Sequence, residues 1–256
     1  MPPLTLTPLS RIPLIQPGDN LAAILFAALD HEQKKLENGD ILVLAQKIVS
    51  KAEGRLFNLT EVIPSQEAYS LSDITEKDPR FIELVLRESK AVLRTRPGTI
   101  IVEHNCGFIC ANAGIDHSNV SGLWGNAEDW VLLLPSDPDL SARTIQRELE
   151  ASSGVHLGVL IIDSHGRSWR MGTVGVSVGI AGLPGLVDLR GQPDIFGYRL
   201  RVTLVAAADE LAAAASLVMG QADEMTPAIH VRGFPYPLRE ANLLELIRPK
   251  DLDLFR

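Results

Sequence analysis

Residues 157–170 read LGVLIIDSHGRSWR and join an apolar run to a polar end. The run, residues 157–162, is rich in branched aliphatic side chains, which is typical of a strand buried in a sheet. We expect the strand to end in a turn over residues 163–167, where Asp163, Ser164 and His165 are found. A carboxylate and a hydroxyl at the rim of a sheet suit Mg²⁺ or Mn²⁺. The alternative is an ordinary turn in which Asp163 and Ser164 bond their own backbone.

A second polar segment follows the predicted buried strand 41–45 and contains Gln46, Lys47 and Lys51. The two lysines are four residues apart, so in a helix they share one face. From that face either ammonium reaches a phosphate as a point charge. The alternative is that both lysines are ordinary solvated surface.

Two further polar corners end apolar stretches, one with Asp116 and Asn119 and one at residues 220–224 after a predicted helix over 209–219. If the four corners converge, the site holds two carboxylates, a hydroxyl, an amide and lysines. Such a set binds a metal-bound nucleoside triphosphate and transfers a phosphoryl group. Turn chemistry explains each corner taken alone.

The composition narrows the class of protein. The 256 residues are 46% hydrophobic and 22% charged, which is ordinary for a globular protein. The net charge of −8 disfavours a nucleic-acid binder, although arginines of the second half could line a local anion pocket. Those arginines are Arg167, Arg170, Arg190, Arg199, Arg201 and Arg232.

No membrane span or signal peptide is recognisable, and the two cysteines, Cys106 and Cys110, suit neither a disulfide framework nor a zinc site. We therefore expect a soluble, cytoplasmic protein with buried free thiols.

The pattern of the remaining chain predicts alternating helices and strands. Residues 1–18 are an extended edge strand or a lid, Asp19 caps a helix that ends at 38–40, and residues 56–77 are irregular. A helix starts at Asp78 and includes Val92 and Leu93 in its apolar face. Strands are predicted at 99–102, 130–134, 200–207 and 228–231, and a helix ends near Glu150. Glycines recurring over 172–185 indicate close backbone approach, and a peripheral helix follows Pro237.

Several segments, taken in order, closely resemble the coenzyme F420-0:gamma-L-glutamate ligase family. They are IPLIQPGD (12–19), GDILVLAQKIVSKAEGR (39–55), NAGIDHSNV (112–120), LLLPSDPDLSA (132–142), IIDSHGR (161–167) and ADELAAAASLVMG (208–220). The resemblance covers about residues 11–235 of a single domain spanning 1–256, with 236–256 as a peripheral segment. It implies an α+β fold with mixed, largely antiparallel sheets and flanking helices in two interleaved subdomains.

The resemblance also implies a reaction. Members of the family use GTP and two divalent ions, Mg²⁺ or Mn²⁺, with K⁺ as a further candidate ion, to join the carboxylate of a coenzyme F420 precursor to the amine of L-glutamate. The route is an acyl phosphate. The resemblance further implies an intertwined homodimer, while the net charge and the lack of a membrane span predict that the protein binds neither nucleic acid nor membrane.

The site residues follow from the same resemblance. One metal would be held by Asp116 and Asp163, and the second by Ser164 and Gln221. GTP would be bound by Ile12, Pro13, Leu14, Ile15, Gln46, Lys47, Lys51, Asn119, Met219, Gly220, Ala222, Asp223, Glu224, Met225 and Thr226. No residue is assigned as the general base.

Two positions depart from the family pattern, and two other functions stay open. Ser164 replaces a threonine and keeps the hydroxyl, whereas Gln221 replaces a glutamate found in some relatives, so the second metal would lack that charge. One alternative is a ligase of the same chemistry with another acceptor. The other is a nucleotide- and metal-binding module without catalysis.

Overall fold

The computed structural model describes residues 3–254. Within them the chain forms six α-helices: α1 (Leu21–His31), α2 (Gln46–Ala52), α3 (Gln66–Thr75), α4 (Pro79–Arg87), α5 (Pro138–Ser153) and α6 (Ala207–Met219).

The same residues form twelve strands: β1 (Thr5–Pro8), β2 (Ile41–Ala45), β3 (Leu56–Asn58), β4 (Ser89–Arg96), β5 (Thr99–His104), β6 (Ile109–Ala111), β7 (Trp130–Leu132), β8 (Gly158–Arg167), β9 (Arg170–Ala181), β10 (Val187–Asp188), β11 (Leu204–Val205) and β12 (Ala228–Arg232).

The largest sheet has the order β1-β12-β2-β8-β9. Only the β2–β8 pair is parallel, and the other neighbours are antiparallel. Smaller antiparallel sheets are β4-β5-β6, β3-β7 and β10-β11. The predicted α+β class with largely antiparallel sheets is confirmed, whereas the single-domain assignment stays a prediction.

Both faces of the large sheet are buried, which explains the continuous apolar runs of β2 and β8. Leu42, Leu44 and Ile161 face the larger core, which also contains buried residues of α1, α4 and α5. Ile41, Leu160 and Ile162 face a second core with α6. Side chains alternate between faces along a strand, so neighbouring residues of β8 face different cores.

β8 does not end where the apolar run ends, so the turn predicted over residues 163–167 is wrong. Asp163, Ser164 and His165 lie within the strand and face Val176, Gly175 and Val174 of β9. The hairpin partner β9 supplies backbone hydrogen bonds beyond the last apolar residue, so pairing rather than hydropathy sets the strand's length.

The predicted close approach at the glycines of β9 is confirmed at two positions. A Cβ on Gly175 would lie 2.6 Å from the carbonyl oxygen of Ala212 in α6, and one on Gly179 would lie 2.4 Å from that of Pro138. These glycines let α6 and the start of α5 pack directly on the edge strand.

Several predicted boundaries differ from those in the structure. Asn20, not Asp19, caps α1, and Asp19 instead bonds the amide of Gln16. Val92 and Leu93 belong to β4, which pairs with β5, rather than to α4. Residues 56–77 contain β3 and α3 rather than an irregular segment, and in 200–207 the strand is reduced to β11.

The ends of the chain also differ in part from expectation. Residues 5–8 form an edge strand, as one of the two interpretations predicted. After Pro237 the described residues form two 3₁₀ turns, Leu243–Glu245 and Lys250–Leu252, instead of a peripheral α-helix. Every helix within residues 3–254 is too short or too polar to cross a bilayer.

Candidate functional site

Two of the polar segments predicted from the sequence come together at Asp116. Its Oδ2 accepts a hydrogen bond from Gln46 Nε2 at 2.7 Å and forms an ion pair with Lys47 Nζ at 2.8 Å. α2 begins at Gln46, directly after β2, and so carries both side chains from the end of a buried strand. Asp116 itself is held by a bridge of its backbone to Leu132.

The two lysines of α2 share one face, as their spacing predicted. Lys47 Nζ also donates to the carbonyl and hydroxyl oxygens of Ser118, at 3.0 and 3.1 Å. Lys51 Nζ donates to the carbonyl of Asn119 at 2.8 Å. Burial lowers the pKa of Lys51, and the charge of Lys47 lowers it further, which indicates a concentrated positive potential.

Asp163 faces Asp116 across the site. Burial raises the pKa of Asp116, and the negative charge of Asp163 raises it further, against the opposing effect of Lys47. The second contact of Asp163 is with His165, whose Nε2 lies 3.1 Å from Asp163 Oδ2. Residues two apart on a strand share a face, which accounts for this pair.

Ser164 points to the opposite face of β8 and meets the segment after α6. Its hydroxyl donates to Gln221 Oε1 at 2.8 Å, while Gln221 Nε2 donates to Ser216 at 3.0 Å. The same segment is linked to the Asp116 corner, because Asn119 Nδ2 donates to the carbonyl of Ala222 at 3.0 Å. The structure therefore divides the four predicted metal ligands into two pairs on the two faces of β8.

The donor set fits hard divalent cations. Two neighbouring carboxylates repel each other, and a cation between them removes that repulsion. Within residues 3–254 no three His, Cys, Asp or Glu side chains form a metal-binding group. A magnesium or manganese ion would therefore complete its coordination with phosphate oxygens and water, as Mg²⁺ commonly does.

The other residues predicted to bind GTP lie in two segments. In residues 12–15, Ile12 and Ile15 are buried in the core, whereas Pro13 and Leu14 are exposed. This segment runs towards the end of α2, where the Gly18 amide bonds the Ala52 carbonyl. In residues 219–226, Met219 is buried and Gly220, at φ 75°, ends α6.

The rest of the 219–226 segment is an exposed loop with contacts of its own, in addition to those with Ser164 and Asn119. Glu224 accepts from the amide of Ala222, and Thr226 donates to the carbonyl of Met219. Asp223 and Met225 are exposed in this loop. The part that these residues play in nucleotide binding stays a prediction.

Some motif residues have structural roles instead. In SKAEGR, Glu53 bonds Ser141 of α5, while Arg55 bonds Glu88 at 2.7 Å and the carbonyl of Leu134 at 2.8 Å. Among the arginines considered for an anion pocket, Arg190 and Arg232 form ion pairs with carboxylates of the protein. The cysteines are free, as expected.

Two site residues were not predicted from the sequence. The sequence pattern places His165 only in a turn, yet 11% of its side chain is exposed and it contacts both Asp163 and the ring of Phe108. Ser118 anchors Lys47. Asp163 and His165 are two residues apart, and in a strand this spacing places both side chains on one face. The sequence did not indicate the contact because these residues were incorrectly predicted to form a turn.

Comparison with known proteins identifies the family. Residues 10–233 match the F420-0:Gamma-glutamyl ligase family. The chain belongs to this family.

Relatives named coenzyme F420:L-glutamate ligase are similar in sequence to this chain over almost their whole length. The protein of Methanothermobacter thermautotrophicus is 46% identical over 99% of both chains. That of Methanopyrus kandleri is 43% identical over 100% of this chain and 99% of its own. That of Methanocaldococcus jannaschii is 39% identical over 96% and 94%. These relatives therefore support ligase as the enzyme class of this chain.

Proposed function

We propose that the protein joins the carboxylate of a coenzyme F420 precursor, F420-0 or its monoglutamyl form, to the amine of L-glutamate with consumption of GTP. The observation that supports this most is the meeting of Asp116, Asp163, Lys47 and Lys51 at one place. Near full-length similarity to proteins named coenzyme F420:L-glutamate ligase supplies the substrate class.

The chemistry requires activation, because a carboxylate is a poor acyl donor. An oxygen of the precursor carboxylate attacks the γ-phosphorus of GTP, forming an acyl phosphate and releasing GDP. The nitrogen of L-glutamate then attacks the acyl carbon. The new C–N bond forms, the bond from carbon to the phosphate oxygen breaks, inorganic phosphate leaves, and the amine loses its protons to solvent or a base.

In this proposal the lysines and the carboxylates have different roles. Lys47 and Lys51 supply positive charge to the phosphates of GTP and are held in place by the backbone of Ser118 and Asn119. Asp116 and Asp163 would hold one divalent ion, and Ser164 with Gln221 a second. Such ions neutralise the charge that develops on transferring phosphate oxygens.

The test is mass spectrometry of the F420 precursor after incubation with the protein, GTP, Mn²⁺ and L-glutamate. We expect mass gains of glutamyl units matched by GDP release. Product formed only with a different amine or carboxylate would indicate a ligase with another acceptor. GTP binding without GDP release in the presence of both cosubstrates would contradict catalysis and indicate a binding module.

We also propose that two copies associate through the arm formed by residues 182–206. This segment leaves the large sheet, folds back through β10 and β11, and carries exposed apolar side chains near its tip. Ile195 is 91% exposed, Phe196 88% and Val202 85%. Clustered apolar side chains at such exposure usually mark an interface, and a second copy of the chain is the occupant that the family resemblance implies.

A further inference from the structure

His165 lies against Asp163, one of the two carboxylates predicted to bind metal, at the polar end of β8. Residues two apart on a strand share a face, and His165 Nε2 lies 3.1 Å from Asp163 Oδ2. An ionised carboxylate can only accept hydrogen bonds, so the imidazole N–H is the donor. Only 11% of the His165 side chain and 12% of the Asp163 side chain are exposed. Water therefore competes little for this bond.

Aromatic rings from the end of β5 and the turn before β6 support the imidazole of His165. Phe108 lies beside it, with ring centroids 5.4 Å apart and ring planes at 48°. Phe108 stacks in turn on the buried ring of His104, at 4.9 Å and 3°. Nδ1 of His104 accepts a hydrogen bond from the Cys106 amide at 3.0 Å, which fixes that ring. The rotamer of His165 is therefore restricted by packing as well as by its bond to Asp163.

Each carboxylate of the pair has one oxygen that is bonded by the protein and one that accepts no hydrogen bond. Asp163 Oδ2 is bonded by His165, and Asp116 Oδ2 is bonded by two side chains of α2. Among residues 3–254, no side chain or amide donates a hydrogen bond to Oδ1 of either carboxylate. The donors thus fix both carboxylate groups, while each group keeps one oxygen available to a divalent ion.

A direct bond from the imidazole to the ion is the alternative role for His165. Mg²⁺ and Mn²⁺ are hard ions that favour oxygen ligands over imidazole nitrogen. Within the part of the chain that the structure describes, Asp116, Asp163 and His165 do not form a three-ligand group. The Nε2 atom that donates to Asp163 carries a proton, so it has no lone pair for a metal. His165 thus acts on Asp163 rather than on the ion.

We propose that His165 is a positioning residue, which holds Oδ2 of Asp163 by a hydrogen bond and so leaves Oδ1 oriented for a divalent ion. The inference rests on the metal-dependent reaction proposed above and adds a residue of this chain to it. A carboxylate that is already fixed loses less conformational freedom when it binds the ion. Hydrogen-bond partners of metal ligands therefore contribute to metal affinity without contacting the metal.

The test is the dissociation constant of Mn²⁺ alone, followed by the EPR signal of the free ion in solutions of the purified full chain. His165→Leu keeps an apolar side chain beside Phe108 but removes the donor, and we expect it to raise the dissociation constant about tenfold. His165→Gln restores an N–H donor on a side chain of similar reach, and we expect an affinity within about threefold of the wild type. His156→Gln is the matched control, because 93% of the His156 side chain is exposed.

Several results would overturn the positioning role of His165. One is a wild type that binds no Mn²⁺, or a folded His165→Leu variant that binds Mn²⁺ as tightly as the wild type. Another is a loss of affinity that His165→Gln does not restore.

Pulsed EPR of the bound ion gives a second readout, which does not depend on the Leu variant being folded. We expect no modulation from an imidazole nitrogen in the wild type. Such modulation would make His165 a metal ligand and overturn the proposal. Thermal unfolding is measured on each variant, since a merely structural role would lower stability without changing the Mn²⁺ affinity of the folded protein.

These measurements need no turnover, so they separate the positioning role from the ligase function. Absence of glutamyl product from a wild type that binds Mn²⁺ would overturn the proposed function. The Mn²⁺ affinities of the two His165 variants would then decide the positioning role by themselves.

Discussion

At the scale of single residues, Asp163 combines several roles in the site. It repels Asp116, contacts His165, and stands at the point where the apolar part of β8 becomes polar. In the proposed reaction a metal held here would neutralise charge in the transition state of phosphoryl transfer, so its loss would affect turnover more than folding.

We therefore expect Asp163→Asn to lower kcat by about a hundredfold or more, in line with losses of single electrostatic groups in active sites. Glutamyl product formation and thermal unfolding are measured on the same preparations. The control is Asp188→Asn on the exposed arm. Turnover near that of the wild type in a folded variant would exclude the metal role.

Gln221 gives a second residue-scale prediction, because it offers an amide oxygen in place of a carboxylate. Gln221→Glu adds a charged ligand beside Ser164, and affinity for divalent ions rises with the charge of the ligands. We expect the Mn²⁺ concentration for half-maximal activity to fall several-fold in the variant. Gln66→Glu, at an exposed helix start, is the control. An unchanged Mn²⁺ dependence would remove Gln221 from the metal site.

At the scale of elements, β2 and β12 are joined by a buried ionic network around Asp40. His230 Nε2 lies 2.8 Å from its Oδ2, and the guanidinium of Arg232 bonds both carboxylate oxygens at 2.8 and 2.9 Å. Burial alone raises the pKa of Asp40. The hydrogen bonds from Arg232 and His230 outweigh burial and hold the pKa well below its usual value.

A depressed pKa gives the sign of the pH dependence. The contribution of Asp40 to stability is complete above its unfolded pKa of about 3.9 and is lost as the pH falls towards the folded value. We expect Asp40→Asn to lower the free energy of unfolding by about 3 kcal/mol at pH 7, since it leaves Arg232 and His230 without their anion. The difference from the wild type should shrink below pH 4.

Urea denaturation at pH 7 and at a series of pH values from 4 down to 2 measures both effects, since the loss grows as the pH approaches the lowered pKa of Asp40. Asp188→Asn breaks a pair whose two side chains are half exposed, and it should leave stability almost unchanged. A difference between Asp40→Asn and the wild type that does not diminish between pH 4 and pH 2 would contradict the ionic explanation.

At the scale of the whole molecule, the exposed apolar tip of the 182–206 arm predicts association of two copies. Ile195→Asp with Phe196→Asp places charges where the interface would be dry, which is strongly unfavourable. Light scattering after size exclusion should show the wild type at twice the chain mass and the double variant at the chain mass.

Ile63→Asp is the control for the arm, because Ile63 is 83% exposed but lies outside it. Its mass should equal that of the wild type. A monomeric wild type, or a double variant that keeps the wild-type mass, would contradict an interface at the arm.

Much of the fold and of the site could be predicted from local patterns. β2, α6 and β12 stand close to where their hydrophobic runs and end signals predicted, because those signals act within a few residues. Asp78 caps α4 where the helix start was predicted, for the same reason. The spacing of Lys47 and Lys51 predicted their common face, and the motifs around Asp116 and Asp163 indicated the family.

Only the tertiary structure decided the remainder. β8 continues through His165 because β9 pairs with it, and Val92 joins β4 because β5 is beside it. Ser177 and Asp209 meet across 32 residues, and Asp116 is held near β8 because Gln46 and Lys47, which follow the end of β2 beside β8, bond its carboxylate. Such contacts join residues far apart in the chain, and no local propensity or periodicity contains the geometry of their approach. The sequence by itself therefore determined the chemistry available, whereas chain packing decided which groups share a site.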